Sequence, residues 1–164
     1  MVRKWAYAIR PYDLTAFIIS INLFFILSNN RLKVLEISKN IALTKLYCSF
    51  NQLSILEISK NTNLITLGCA SNSLINLNIN KNIKMNTLYC NINKLINLDI
   101  SNNISLTDLS CDNNSLESLD VRQNVILKNL NCNNNKIQTI CVNSLNQVKS
   151  NWSKDPTATY KVCP

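Results

Sequence analysis

The stretch Leu43–Asn61, LTKLYCSFNQLSILEISKN, decides the fold, because its pattern returns down the chain at a fixed 21-residue step. Cys48, Cys69, Cys90, Cys111 and Cys132 mark that step with no insertion or deletion between them. Apolar columns keep the same beat: Leu46, Leu67, Leu88, Leu109, Leu130; Leu53, Leu74, Leu95, Leu116, Ile137; Leu56, Leu77, Leu98, Leu119, Ile140; and Ile58, Ile79, Ile100, Val121, Val142. A period of this length identifies a solenoid, in which each unit buries its apolar face only against its neighbours.

Each unit is two similar halves, LxxLxCxxNx and LxxLxIxxNxx, so the asparagine steps alternate between ten and eleven from Asn30 to Asn135. An apolar-x-apolar triplet has the two-residue period of a strand, which gives two short extended segments per turn. Asparagine turns the chain between them, because its amide bonds to nearby backbone and it tolerates left-handed geometry. A unit offers about six apolar side chains, each worth roughly 1.5–3 kcal/mol when buried. Ordering costs about 1–2 kcal/mol per backbone residue, so no unit folds alone.

These residues carry a resemblance. LxxLxCxxNxL followed by LxxLxIxxN resembles the 21-residue bacterial leucine-rich repeat, and cysteine in a leucine column resembles the cysteine-ladder internalins and related secreted bacterial repeat proteins. The match covers about residues 22 to 142. The resemblance implies a leucine-rich-repeat solenoid of the α/β-horseshoe type, right-handed, built mainly of short parallel β-strands with little or no helix. It also implies protein recognition through a concave sheet. About five to six turns are expected, with residues 1–28 as a signal-like or N-terminal capping segment and 143–164 as a C-terminal cap.

The chain of 164 residues has no histidine and one glycine, Gly68, which removes histidine-based triads, His-type zinc sites and glycine-rich phosphate loops. The net charge of +8 is spread along the chain with no basic cluster interleaved with aromatics, so nucleic acid is not an expected partner. No cofactor is expected. The five ladder cysteines read as packed free thiols, since free cysteine behaves as a small hydrophobe and in-register side chains point in parallel. A linear column also lacks the convergent ligands that a metal needs.

Residues 1–13 are cationic, and Leu14–Ser28 form an uncharged run, too short for a stable membrane span, which takes about 20 residues. The pattern reads as a secretory signal, but no A-x-A site follows, and Phe25, Leu27, Asn30 and Leu32 already occupy repeat positions. An N-terminal cap or uncleaved anchor, and an artefactual start, stay open beside it. At the other end, Cys141 stands in the outward column of Glu57, Asn78, Asp99 and Asp120, outside the ladder. Its expected partner is Cys163, with Trp152 and Tyr160 as apolar lids; two unpaired thiols are the alternative. A bridge there would imply an oxidising compartment, hence a secreted or cell-surface bacterial protein.

On the leucine-rich-repeat analogy the cysteine half of each unit supplies the concave strand, and the residues flanking its buried pair face a ligand. The candidates are Lys45, Tyr47, Thr66, Gly68, Thr87, Tyr89, Asn91, Asp108 and Asp112. Tyr47 and Tyr89, two turns or about 10 Å apart, flank Gly68, which leaves a gap between them; tyrosine favours interfaces but also fits any pleated surface. The acids Glu36, Glu57, Asp99 and Asp120 read as a solvated face that lysines partly compensate. The repeats carry no inserted loop on which catalytic groups usually hang. The sequence therefore points to a monomeric, non-catalytic module that binds a protein or a surface glycan; the rival is a structural module that stacks with other repeats.

Overall fold

The computed structural model describes residues 15–17 and 23–164, and the remaining residues of the signal-like segment lie outside the described residues. Its strands are β1 Thr15–Phe17, β2 Phe24–Ile26, β3 Val34–Glu36, β4 Lys45–Tyr47, β5 Thr66–Gly68, β6 Thr87–Tyr89, β7 Asp108–Ser110, β8 Ser118–Asp120, β9 Asn129–Asn131, β10 Thr139–Val142 and β11 Thr159–Val162. The only helix among the described residues is a 3-10 turn at Leu145–Gln147. A parallel six-stranded sheet runs β2-β4-β5-β6-β7-β9, and each strand pairs with its counterpart one repeat on. Equal spacing in the sequence becomes equal height in the sheet, with Leu46, Leu67, Leu88 and Leu109 directly above one another.

Ser153 adds one more rung through a parallel bridge to Asn131, so the coil makes about seven turns. This corrects the expected five to six. The last step is one residue longer than those before it, which sets Trp152 in the buried place that Leu130 holds one turn earlier.

The second half of each turn forms strands only near the ends, where β1 pairs with β3 and β8 with β10. From Ile55 to Ile100 it stays extended without strand ladders, and the amides of Asn61, Asn82 and Asn103 carry the bonds between turns. Asn82 Nδ2 donates to Ile58 O at 3.2 Å and Asn61 O at 2.9 Å, and Asn103 Nδ2 repeats this one turn on. These amides are fully buried, and the Oδ1 atoms of Asn61, Asn82, Asn103 and Asn124 have no partner among the described residues. Two donated bonds per amide offset that orphaned acceptor.

The first-half asparagines are better satisfied. Asn93 Nδ2 donates to Cys69 O and Cys90 O at 3.1 and 3.0 Å, and its Oδ1 accepts from Leu74 N at 3.0 Å. The left-handed turn lies one residue earlier than the sequence suggests. Asn29, Phe50, Ser71, Ile92, Asn113 and Asn134 have φ between 53° and 60°, and each precedes a ladder asparagine. The asparagine side chain clamps the turn that its neighbour makes.

The tail completes the coil. Trp152 and Ala158 are buried against the last turn, and the rings of Trp152 and Tyr160 lie 6.1 Å apart. Trp152 Nε1 donates to Lys128 O at 3.2 Å. β11 pairs in parallel with β10, and Cys141 is joined to Cys163 with a Cα–Cα distance of 5.4 Å. Asp155 ends the first asparagine ladder, since its carboxylate accepts from Asn134 N and Asn135 N at 2.8 and 2.9 Å. In earlier turns the matching N–H groups, those of Asn113 and Asn114, donate to backbone carbonyls of the turn above.

Candidate recognition surface

The cysteine-side sheet presents three outward columns, and their composition changes along the coil. At the N-terminal end stand Phe24, Ile26 and Tyr47. Phe24 is 44% and Ile26 60% exposed, and the Phe24 and Tyr47 rings meet edge-on at 5.7 Å. The gap expected at Gly68 is filled: a Cβ there would stand 2.9 Å from Cδ1 of Tyr47. The Tyr47 ring leans over the glycine and buries it, which leaves Tyr47 half-buried, while Tyr89 two turns on is exposed.

Of the other residues singled out, Lys45 is exposed, Thr87, Asn91 and Asp108 are half-buried, and Thr66 and Asp112 are almost closed off at 8% and 9% exposure. Asp112 is engaged by Ser110 Oγ and Asn113 Nδ2, both at 2.6 Å. Thr66, Gly68 and Asp112 therefore shape the sheet surface and offer little of it to a partner.

Past Tyr89 the face turns polar. Asp108 accepts from Thr107 Oγ1 and from Asn129 Nδ2, each at 2.6 Å, and Asn151 Nδ2 donates to Asn129 Oδ1 at 2.5 Å. Tyr89, Asp108, Ser110, Asn129, Asn131, Asn151 and Ser153 line a depression of about 410 Å³. Asn151 and Ser153 were not foreseen: they continue the columns of Asn129 and Asn131, but one residue out of step with the repeat. Phe24 and Ile26 were absorbed into an apolar run that reads as a signal.

The ladder thiols are all buried and free. Burial pushes Cys48 and Cys132 up to about 12 and raises Cys69, Cys90 and Cys111 well above the ordinary thiol range. They pack as neutral apolar groups. No group of three potential metal ligands occurs among the described residues.

On the opposite side the acids have a local task. Glu36, Glu57, Asp99 and Asp120 each accept the backbone N–H two residues on, at 2.8 to 3.0 Å. Hydrogen bonds from Ser38, Ser59, Ser101 and Arg122 hold these carboxyls below their usual range.

No family model matches the chain, and no curated protein matches it in sequence. Among solved structures, a leucine-rich-repeat protein of Leptospira interrogans is 20% identical with a TM-score of 0.60, over 85% of this chain and 44% of its own. The functional domain of InlJ from Listeria monocytogenes, which includes a cysteine ladder, is 23% identical with a TM-score of 0.45, over 73% of this chain and 39% of its own. An internalin, inlF, of Listeria monocytogenes is 15% identical with a TM-score of 0.47, over 78% of this chain and 55% of its own. The chain thus spans about half the length, or less, of these structures. The register, the buried cysteine column and the Leptospira likeness together define a leucine-rich-repeat solenoid with a cysteine ladder and a 21-residue period.

Proposed function

We propose that the chain is a non-catalytic recognition module of a bacterial surface or secreted protein, and that it binds another protein through its concave sheet. The observation that carries this reading is the apolar cluster of exposed Phe24 and Ile26 with half-buried Tyr47, and exposed Tyr89 beyond it, on a regular sheet free of insertions. Large rigid aromatics bury much surface at low entropy cost and dominate protein interfaces. A non-catalytic role is supported by the absence of histidine from the chain and by the burial of every ladder thiol. Export is supported by the Cys141–Cys163 bridge, which suits an oxidising compartment. No helix of the described residues is long and apolar enough to cross a membrane.

The test places a photo-crosslinking residue at Ile26 and, as a control, at Glu117 on the far side of the coil, in the presence of surface extract. Adducts at position 26 that are lost in Phe24→Ser/Tyr47→Ser support the reading. Equal labelling at both positions sinks it.

One observation favours the rival, assembly. Ile41, Ile83, Ile104 and Val125 are exposed and share one column of the coil, a lateral apolar strip where a second copy could pack. Stacking at the C-terminal end is disfavoured, since Trp152 and Ala158 close it. Sedimentation of wild type against Ile83→Lys/Ile104→Lys separates the readings: a monomer in both supports the recognition module, and self-association lost in the variant supports assembly.

A further inference from the structure

We propose that the depression between Tyr89 and Ser153 is a saccharide subsite that takes one neutral sugar unit of a glycan chain. The volume of about 410 Å³ lies at the small end of ligand sites, which run from roughly 300 to 1,000 Å³. One wall is the ring of Tyr89, 41% exposed, an aromatic face suited to the apolar C–H face of a pyranose. The rest of the lining mixes the apolar chain at Leu109 and Leu130 with amides and hydroxyls, as the two faces of a sugar ring require, and it is charged at one point only.

That charge, on Asp108, is already engaged by two hydrogen bonds, and no lysine or arginine lines the depression. An anionic ligand would meet a carboxylate with no cation to offset it, and every other polar group of the lining is a neutral amide or hydroxyl. A hydroxyl-rich neutral ligand matches what remains. Tyr89 Oη, Asn131 Nδ2 and Asn151 Oδ1 have no hydrogen-bond partner among the described residues, and they offer donors and acceptors side by side. A sugar hydroxyl both donates and accepts, and it needs that mixture.

The side chains are held in place before any ligand arrives. Asn151 donates to Asn129, which donates to Asp108, so the amides are ordered head to tail across three turns. Fixing them in the free protein removes part of the entropy cost of binding. Asn151 and Ser153 come from the C-terminal cap, so the subsite exists only where the coil ends.

The inference shares with the proposed function the premise that the concave sheet is the recognition face, and Tyr89 with it, but its other residues are not those of the Phe24, Ile26 and Tyr47 cluster. The full chain is titrated with methyl glycosides of neutral hexoses and N-acetylhexosamines at up to about 10 mM, and with a methyl uronide as the charged control, by saturation-transfer NMR and calorimetry. The expected result is that a neutral glycoside binds and the uronide binds more weakly. Tyr89→Leu or Asn131→Ala lowers the affinity about five- to tenfold, Tyr89→Phe retains most of it, and Tyr47→Ser leaves it unchanged. Thermal melts confirm that each variant is folded. No saturation transfer from any neutral glycoside, tighter binding of the uronide, or binding indifferent to Tyr89→Leu and Asn131→Ala would overturn the proposal. Loss of protein crosslinking at Ile26 with sugar binding intact would sink only the protein-binding reading.

Discussion

Gln147 Nε2 donates to the carbonyl of Val121 at 2.7 Å and reaches Asn124 O at 3.3 Å. One turn below, Asn124 Nδ2 makes the same pair of bonds to Ile100 O and Asn103 O. Gln147 therefore acts as the last amide of the buried ladder, although its side chain is longer and lies two residues past the 21-residue register. Its Oε1 also accepts from Asn143 N at 2.8 Å.

The first prediction follows from that substitution of one amide for another. Gln147→Leu keeps the volume but leaves the N–H of Asn143 unpaired, and it strips the carbonyls of Val121 and Asn124 of the second bond each accepts beside those from Asn124 N and Leu127 N, at a cost of about 1–3 kcal/mol. Urea unfolding should show a lower midpoint with an unchanged slope. An unaltered midpoint would mean that water satisfies the ladder end unaided.

Ile92, at φ 54°, is a β-branched residue in left-handed backbone, and its side chain is exposed. The left-handed helical region costs an L-residue roughly 1–2 kcal/mol, and asparagine tolerates it best after glycine. Asn113 and Asn134 already fill the equivalent position in later turns. Ile92→Asn should raise stability by about 1 kcal/mol, read as an upward shift in the thermal midpoint. Ile92→Val, which keeps the branch, should give no gain.

The contrast between columns explains what the sequence could reveal. The core was legible because each interior column holds an apolar residue at every turn, nearly always leucine, isoleucine, valine or cysteine with Phe25 and Met85 as exceptions, so its chemistry repeats almost as strictly as its spacing. The left-handed position was hidden because it asks for a backbone angle, and asparagine, phenylalanine, serine and isoleucine all occupy it at a cost. Ser153 was missed because the last rung slips by one residue and sets tryptophan where leucine marks the others, so the tail around it looks aperiodic. Phe24 and Ile26 were missed because an exposed apolar pair beside a hydrophobic run reads as part of that run. Tyr47 was found as a column member, but its lean over Gly68 depends on the ring filling space that the missing side chain leaves.

The bridge between Cys141 and Cys163 closes a segment with a separation of 22 residues, and on the loop-entropy account it contributes about 3 kcal/mol. Reduction, or Cys163→Ser, should lower the unfolding free energy by that order, read as a lower urea midpoint. The loss should begin in the cap, seen as early exposure of Trp152 by fluorescence. A midpoint indifferent to reductant would show that β11 holds to β10 without it.

The ladder thiols make stability fall in alkali. Their folded pKa values are raised by burial, to about 12 for Cys48 and Cys132. An unfolded thiol near 8.5 ionises first. The contribution is whole below that value and declines as pH rises towards 12, at about 1.4 kcal/mol per pH unit for each thiol kept neutral. Alkylation at neutral pH should leave all five ladder thiols unlabelled in the native protein and label all five in denaturant. Labelling of any one without denaturant would place that thiol outside the packed column.

In acid the opposite face fails. The carboxyls of Glu36, Glu57, Asp99 and Asp120 are held below their ordinary values, with side-chain hydrogen bonds from Ser38, Ser59, Ser101 and Arg122 as the largest cause in each case. A depressed folded pKa means that the folded state binds fewer protons than the unfolded chain. Stability is therefore complete above the unfolded carboxyl pKa of about 4 and falls as pH drops through the folded values. Because these groups are largely exposed, each contributes little and solvent screens it, so the effect shows in the column and not in one member. Glu57→Gln/Asp99→Asn keeps a side-chain oxygen as the acceptor for the N–H two residues on and removes the titration. Between pH 5 and 2 the double variant should lose stability less steeply than wild type, with urea midpoints measured at each pH. Parallel curves would show that the acid limb comes from other carboxyls.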